Sequence, residues 1–212
     1  MSGLLQKDLC LLRQRSRSLI LLACVGLMIG FSTDGSFVVG YMTMMVALLT
    51  IGTISYDEFD NGYPFLLTLP VSRKLYVQEK YLFCLAGGAV GWIVSLFLYA
   101  VCSVANGDSL SPVDLVQTVA FLPVFCLIVA VMLPMQLKYG AEKSRIAIAV
   151  LGGGGYALIF FGMKLLPRNM QIPASVSHLS DFTIAVLFLV LSLSALAISY
   201  LCSLRIFNRK AF

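Results

Sequence analysis

The sequence predicts an all-α, polytopic membrane protein with six transmembrane helices, both termini in the cytoplasm, and a short cytoplasmic helix between the second and third spans. Three observations lead there. Hydrophobic side chains make up 59% of the 212 residues and charged ones only 12%, outside the range of soluble domains. The apolar residues fall into runs close to the roughly 20 residues a helix needs to cross a bilayer. The basic residues, which bring the net charge to +5, gather on alternate loops.

The runs are Ser18 to Phe31, Phe37 to Ile54, Tyr81 to Ala105, Leu115 to Leu137, Ile146 to Leu166 and Phe182 to Ile206. The first, 14 residues, is short for a hydrocarbon core of about 30 Å at 1.5 Å per residue. Residues 1–17 before it read as an interfacial helix, with Leu5, Leu9 and Leu12 at helical spacing opposite Lys7, Arg13 and Gln14. That run has no small-x-small cleavage site after it, so the N-terminus is expected to stay.

Orientation follows from lysine and arginine. Lys7, Arg13, Arg15 and Arg17 precede the first run, Arg73, Lys74 and Lys80 precede the third, Lys138, Lys143 and Arg145 follow the fourth, and Arg205, Arg209 and Lys210 end the chain. Thirteen of the fifteen basic residues thus share one side, which the positive-inside rule makes the cytoplasm; Lys164 and Arg168 fall opposite. Division among four juxtamembrane sites fits attraction to anionic lipid, and nucleic acid is not an expected partner.

Missing residue types narrow the function. No run carries an ionisable residue near its middle, the usual mark of proton relays, ion carriers and intramembrane enzymes. There is no H-E-x-x-H and no G-x-x-x-x-G-K-[ST], so the chain is expected to hold no metal, no nucleotide and no catalytic group. Phe59 stands where a calcium loop needs an oxygen ligand, among Asp57, Glu58 and Asp60. The six cysteines read as small packing residues, five of them within apolar runs.

Gly26 with Gly30, and Gly87 with Gly91, are small-xxx-small pairs that let helices approach closely, within one chain or between two copies. Gly152 to Gly155 is either a close-packing stretch or a flexible point, and Pro123 and Pro134 are expected to kink the fourth span.

The cytoplasmic insertion, residues 55–80, has the densest local signals. Ser55 and Glu58 have capping-box spacing, Asp57, Glu58 and Asp60 put negative charge on a first helical turn, and Asn61-Gly62 supplies a stop. Past Tyr63-Pro64, Ser72 can cap a second helix that runs through Lys80 into the third span. An acidic, aromatic surface helix tethered at both ends to spans suits docking of a cytoplasmic partner; the alternative is a helix lying on lipid.

This stretch, Tyr56-Asp-Glu-Phe-Asp-Asn-Gly through Leu69-Pro-Val-Ser-Arg-Lys to Glu79-Lys-Tyr, resembles the signature of small six-span permeases of the bacterial ABC transporter type-2 family. The loop from Lys138 to Arg145 and the basic ending from Ser203 to Phe212 are similar to the same family, so the whole chain reads as one permease domain. Within the family it is similar to permeases that export amphipathic phenol-soluble-modulin-like peptides. The resemblance implies a homodimer, or a pseudo-dimer with a related permease, in the bacterial plasma membrane. It also implies a separate cytoplasmic ATPase that supplies ATP and Mg and docks on the insertion as a coupling helix. Carried over by position, Asp57, Glu58, Phe59, Asp60 and Tyr63 are the docking residues, with Lys138, Glu142 and Lys143 as a second contact. The alternatives from other classes are a passive pore and a membrane-anchoring or immunity protein.

Overall fold

The computed structural model describes residues 2–32, 36–58, 72–106, 112–140, 142–144, 146, 150 and 181–209. The principal helices are α1 (Ser2–Gln14), α2 (Ser16–Ser32), α3 (Ser36–Ile51), α4 (Thr53–Glu58), α5 (Arg73–Asn106), α6 (Pro112–Tyr139) and α7 (Asp181–Arg209), and no strand occurs among the described residues. The helical outcome has a simple cause: lipid offers no partners for backbone N–H and C=O groups, so apolar runs of this length must satisfy them internally.

Among the described residues, four helices are long and apolar enough to cross a membrane: α3 with α4 (Phe37–Glu58), α5, the Thr118–Tyr139 part of α6, and the Val186–Arg209 part of α7. Bent by 61° at their junction, α1 and α2 make a fifth if taken as one broken span. Of the six expected spans, the run from Ile146 to Leu166 lies almost wholly outside the described residues. The short first run gains length because α2 takes in Ser16, Arg17 and Ser32, giving 17 residues, or about 26 Å.

One expectation about the end of a span is corrected. The second span does not stop at Ile54: its helix is offset at Gly52, where Gly52 N–H donates to the Leu48 carbonyl (3.0 Å) and Ser55 N–H to the Gly52 carbonyl (3.1 Å), then continues as α4. Ser55 therefore lies inside a helix, buried, and its hydroxyl caps nothing among the described residues. In α1 the inward residues are Leu4 and Asp8, whereas Leu9 is 62% exposed. Asp8 is turned inward by a buried cationic partner, described below, which leaves the Leu9 side of α1 facing outward.

The start of α5 is as expected: Ser72 Oγ accepts from the Leu75 N–H at 3.2 Å, and one unbroken helix of 34 residues follows. At about 51 Å it exceeds the hydrocarbon thickness by some 20 Å. Its apolar run begins at Tyr81, so Arg73–Lys80 projects beyond the membrane core. There lies much of the main core, where Ile51 and Ile54, Tyr76 and Val77, Leu133 and Leu137, and Phe207 meet. A second cluster of Leu22, Val38 and Met42 joins α2 to α3.

Both glycine pairs act inside the chain. A Cβ on Gly26 would lie 2.8 Å from Met42 Sδ and one on Gly30 2.7 Å from Cys102 Sγ, so α2 sits hard against α3 and α5. A Cβ on Gly91 would lie 2.8 Å from Val46 Cβ, and one on Gly87 would collide with the Thr50 methyl, so the second pair seats α5 on α3. Pro123 and Pro134 lie within a single continuous α6. Hydroxyls knit the remaining helices: Tyr81 OH is 2.6 Å from Ser199 Oγ and 2.8 Å from Ser203 Oγ, and Ser199 donates to the Ala130 carbonyl at 2.5 Å. These bonds tie α5, α6 and α7 where backbone packing alone would allow sliding.

Candidate functional site

The projecting end of α5 brings Lys80 into the protein with 0% of its surface exposed, an arrangement tolerated only when the ammonium is paired. Lys80 Nζ bonds Asp8 Oδ2 of α1 and lies 2.9 Å from Asp57 Oδ2 of α4. Lys7 closes the network by bonding Asp57 Oδ1 and approaching Asp8 Oδ1 at 3.5 Å. Tyr76, one turn before Lys80, donates its hydroxyl to Asp57 Oδ2 at 2.8 Å, and its ring centroid is 5.4 Å from the Lys80 ammonium. The Thr53 hydroxyl donates to Asp8 Oδ2 at 3.3 Å and to the Thr50 carbonyl at 2.8 Å. Acids and bases alternate in space, so the carboxylates do not converge on one point as metal ligands do; among the described residues no metal-binding group occurs.

The junction extends to the two remaining helices. Tyr76 stacks on Phe207 of α7, with centroids 5.0 Å apart and planes 17° from parallel. Arg73 donates to the carbonyls of Asn208 (2.9 Å) and Phe207 (3.4 Å), satisfying C-terminal acceptors of α7 and complementing the negative end of its dipole. At the end of α6, Gly140 adopts φ +83° and its N–H donates to the Gln136 carbonyl at 3.0 Å, a left-handed helix stop. The Glu58 carboxylate rests against Gly140 so closely that a Cβ there would collide with it. Arg15, at the α1–α2 bend, stands 5.0 Å over the Tyr56 ring.

The structure thus brings the end of α4 onto the turn after α6, joining two of the expected docking regions. Glu58 touches that turn, and Lys138, Glu142 and Lys143 are exposed along it. Asp57 is corrected: it does not present charge on an open first turn but is 5% exposed and held by Lys7, Lys80 and Tyr76. A carboxylate beside two ammonium groups gains more by pairing than by facing water. Phe59, Asp60 and Tyr63 lie outside the described residues.

Sequence reasoning missed Lys7, Asp8, Tyr76, Glu79 and Lys80. A signal for two of them existed: Asp8 stands four residues after Leu4 on the apolar side of α1, and Lys80 immediately precedes an apolar run. A charge at a core position asks for an opposite charge elsewhere, but nothing local names the partner.

Comparison with known proteins gives a family. The sequence matches the ABC-2 family transporter protein description over residues 3–208. Neither the curated proteins nor the solved structures gave a match. The matched region runs from the first turn of α1 almost to the end of α7; the family agrees with the several apolar spans, and membership implies an ATPase partner. The chain belongs to the ABC-2 transporter family and is the membrane-spanning permease of an ATP-binding-cassette transporter.

Proposed function

We propose that this permease exports amphipathic peptides or similar amphiphiles, driven by a cytoplasmic ATPase that docks on the insertion between α4 and α5. The turn from Lys138 to Arg145 forms the second contact. The permease works as a homodimer, or a pseudo-dimer with a related permease, in a bacterial plasma membrane with both termini inside. ATP and Mg belong to the partner.

One observation carries this reading: both ends of the insertion are anchored in the same buried junction. Asp57 fixes the end of α4, Tyr76 and Lys80 fix the beginning of α5, and Asp8 and Phe207 bind the same knot to α1 and α7. A displacement applied to the insertion therefore moves four helices as one lever instead of bending a loose loop. Nucleotide-driven closure of two ATPases would pull two such levers together and shift each bundle between inward- and outward-open packings. The uncharged spans suit an amphiphile that needs no counter-ion on its way.

The test is purification in mild detergent from native membranes, with identification of co-purifying proteins and an ATP hydrolysis assay. A stoichiometric ATPase, stimulated by amphipathic peptides and released by Phe59→Asp while the permease stays folded, is the expected result. A preparation without a nucleotide-binding partner overturns the docking reading, and ion leakage from liposomes holding the chain alone would turn it toward a passive pore.

A further inference from the structure

Glu79 lies in the charged junction without sharing its bonds. The side chain is 0% exposed, and among the described residues neither carboxylate oxygen finds a hydrogen-bond donor. The nearest cation, Lys80 Nζ, is 3.9 Å away and already engaged by Asp8 and by Asp57. Among the described residues, the charged groups around Glu79 are Lys80 on its own helix, Lys7 and Asp8 on α1, and Asp57 on α4.

Counting them decides the matter. Among the described residues, three carboxylates and two ammonium groups, all ionised, leave one excess negative charge. Asp8 and Asp57 each hold direct contacts to both lysines, so the excess falls on Glu79, which has no donor of its own. A buried carboxylate in that position is far costlier than its neutral acid, and such groups take up a proton. Glu79 stands two residues before the apolar run that begins at Tyr81, on the part of α5 that projects beyond the membrane core. Opening the junction, with no passage through lipid, gives it access to water.

We propose that Glu79 is a proton-binding site: it holds one proton as the neutral acid while the junction is closed, and its ionisation favours the open junction. The proton is exchanged with water and no other bond changes. The fastening of α1 and α4 to α5, and with it the stiffness of the lever, then depends on pH on that side of the membrane, whatever molecule is transported. The sign follows from linkage. The closed state binds the proton more tightly than the open or unfolded state does, so its advantage declines as pH rises past the ordinary carboxylate range and levels off once the closed state also loses its proton.

The experiment compares thermal unfolding of the full-length wild type and Glu79→Gln from about pH 5 to about pH 9. The amide mimics the neutral acid, so the two midpoints should nearly coincide at the acid end, with the variant increasingly the more stable as pH rises. Glu79→Met, apolar and of similar length, should follow the same trend. An infrared band from a protonated carboxyl should be present in the wild type at neutral pH and missing from the Gln variant. Parallel pH curves, a Gln variant less stable than wild type at neutral pH or unable to fold, or no difference in the carboxyl band would each overturn the proposal.

Discussion

Replacing Lys80 by Met removes the ammonium between Asp8 and Asp57 while keeping most of the side-chain volume. Two buried carboxylates are then left with Lys7 alone, and Lys7 is 33% exposed while Asp8 is 0% exposed. Breaking a buried ion pair by deleting one partner costs about 3–5 kcal/mol, a large share of the 5–15 kcal/mol that holds a typical fold. For a chain of this size that lowers the unfolding midpoint by on the order of 10 °C. The chain carries its own local reporter: Cys84, one turn beyond Lys80, is 0% exposed. Its alkylation, located by mass spectrometry apart from that of the exposed Cys10, Cys24 and Cys202, should accelerate in Lys80→Met. Adding Asp8→Asn should recover most of the loss, because Lys7 and Asp57 then remain as a balanced pair. A Lys80→Met protein with wild-type stability and an equally protected Cys84 would refute the junction, and with it the idea of a rigid lever.

Further outcomes are expected elsewhere. Gly87→Leu drives a side chain into Thr50 and should destabilise the α3–α5 contact by about 1–3 kcal/mol in thermal unfolding; unaltered stability would place that face against lipid. Gly140→Ala meets both the left-handed backbone at φ +83° and the Glu58 carboxylate, so a loss of about 1–2 kcal/mol and weaker ATPase co-purification are expected; a neutral result would separate α4 from the α6 turn.

The long apolar helices were legible from composition because the solvent is lipid: a backbone that cannot bond to water must bond to itself, and the sequence states which runs face that constraint. Ser72 was legible for a similar reason, since a cap needs only the N–H three residues away. The glycine pairs declared close approach, but their partners did not show: Gly26 and Gly30 could as well have met a second copy, and only the packed bundle put Met42 and Cys102 against them. At Ser55 a strong local signal lost to its surroundings, because α3 continued past Gly52 and carried Ser55 inside the next turn.

What the sequence by itself determined is the class of molecule, the main apolar spans and the lack of ionisable groups deep within them, all properties of short windows. The tertiary structure alone decided the junction. Lys7 meets Asp57 across 50 positions and Lys80 meets Asp8 across 72, distances over which no periodicity or cap carries information. Two buried charges find each other because each is too costly alone in a low dielectric, and that energy exists only once α1, α4 and α5 have packed and excluded water.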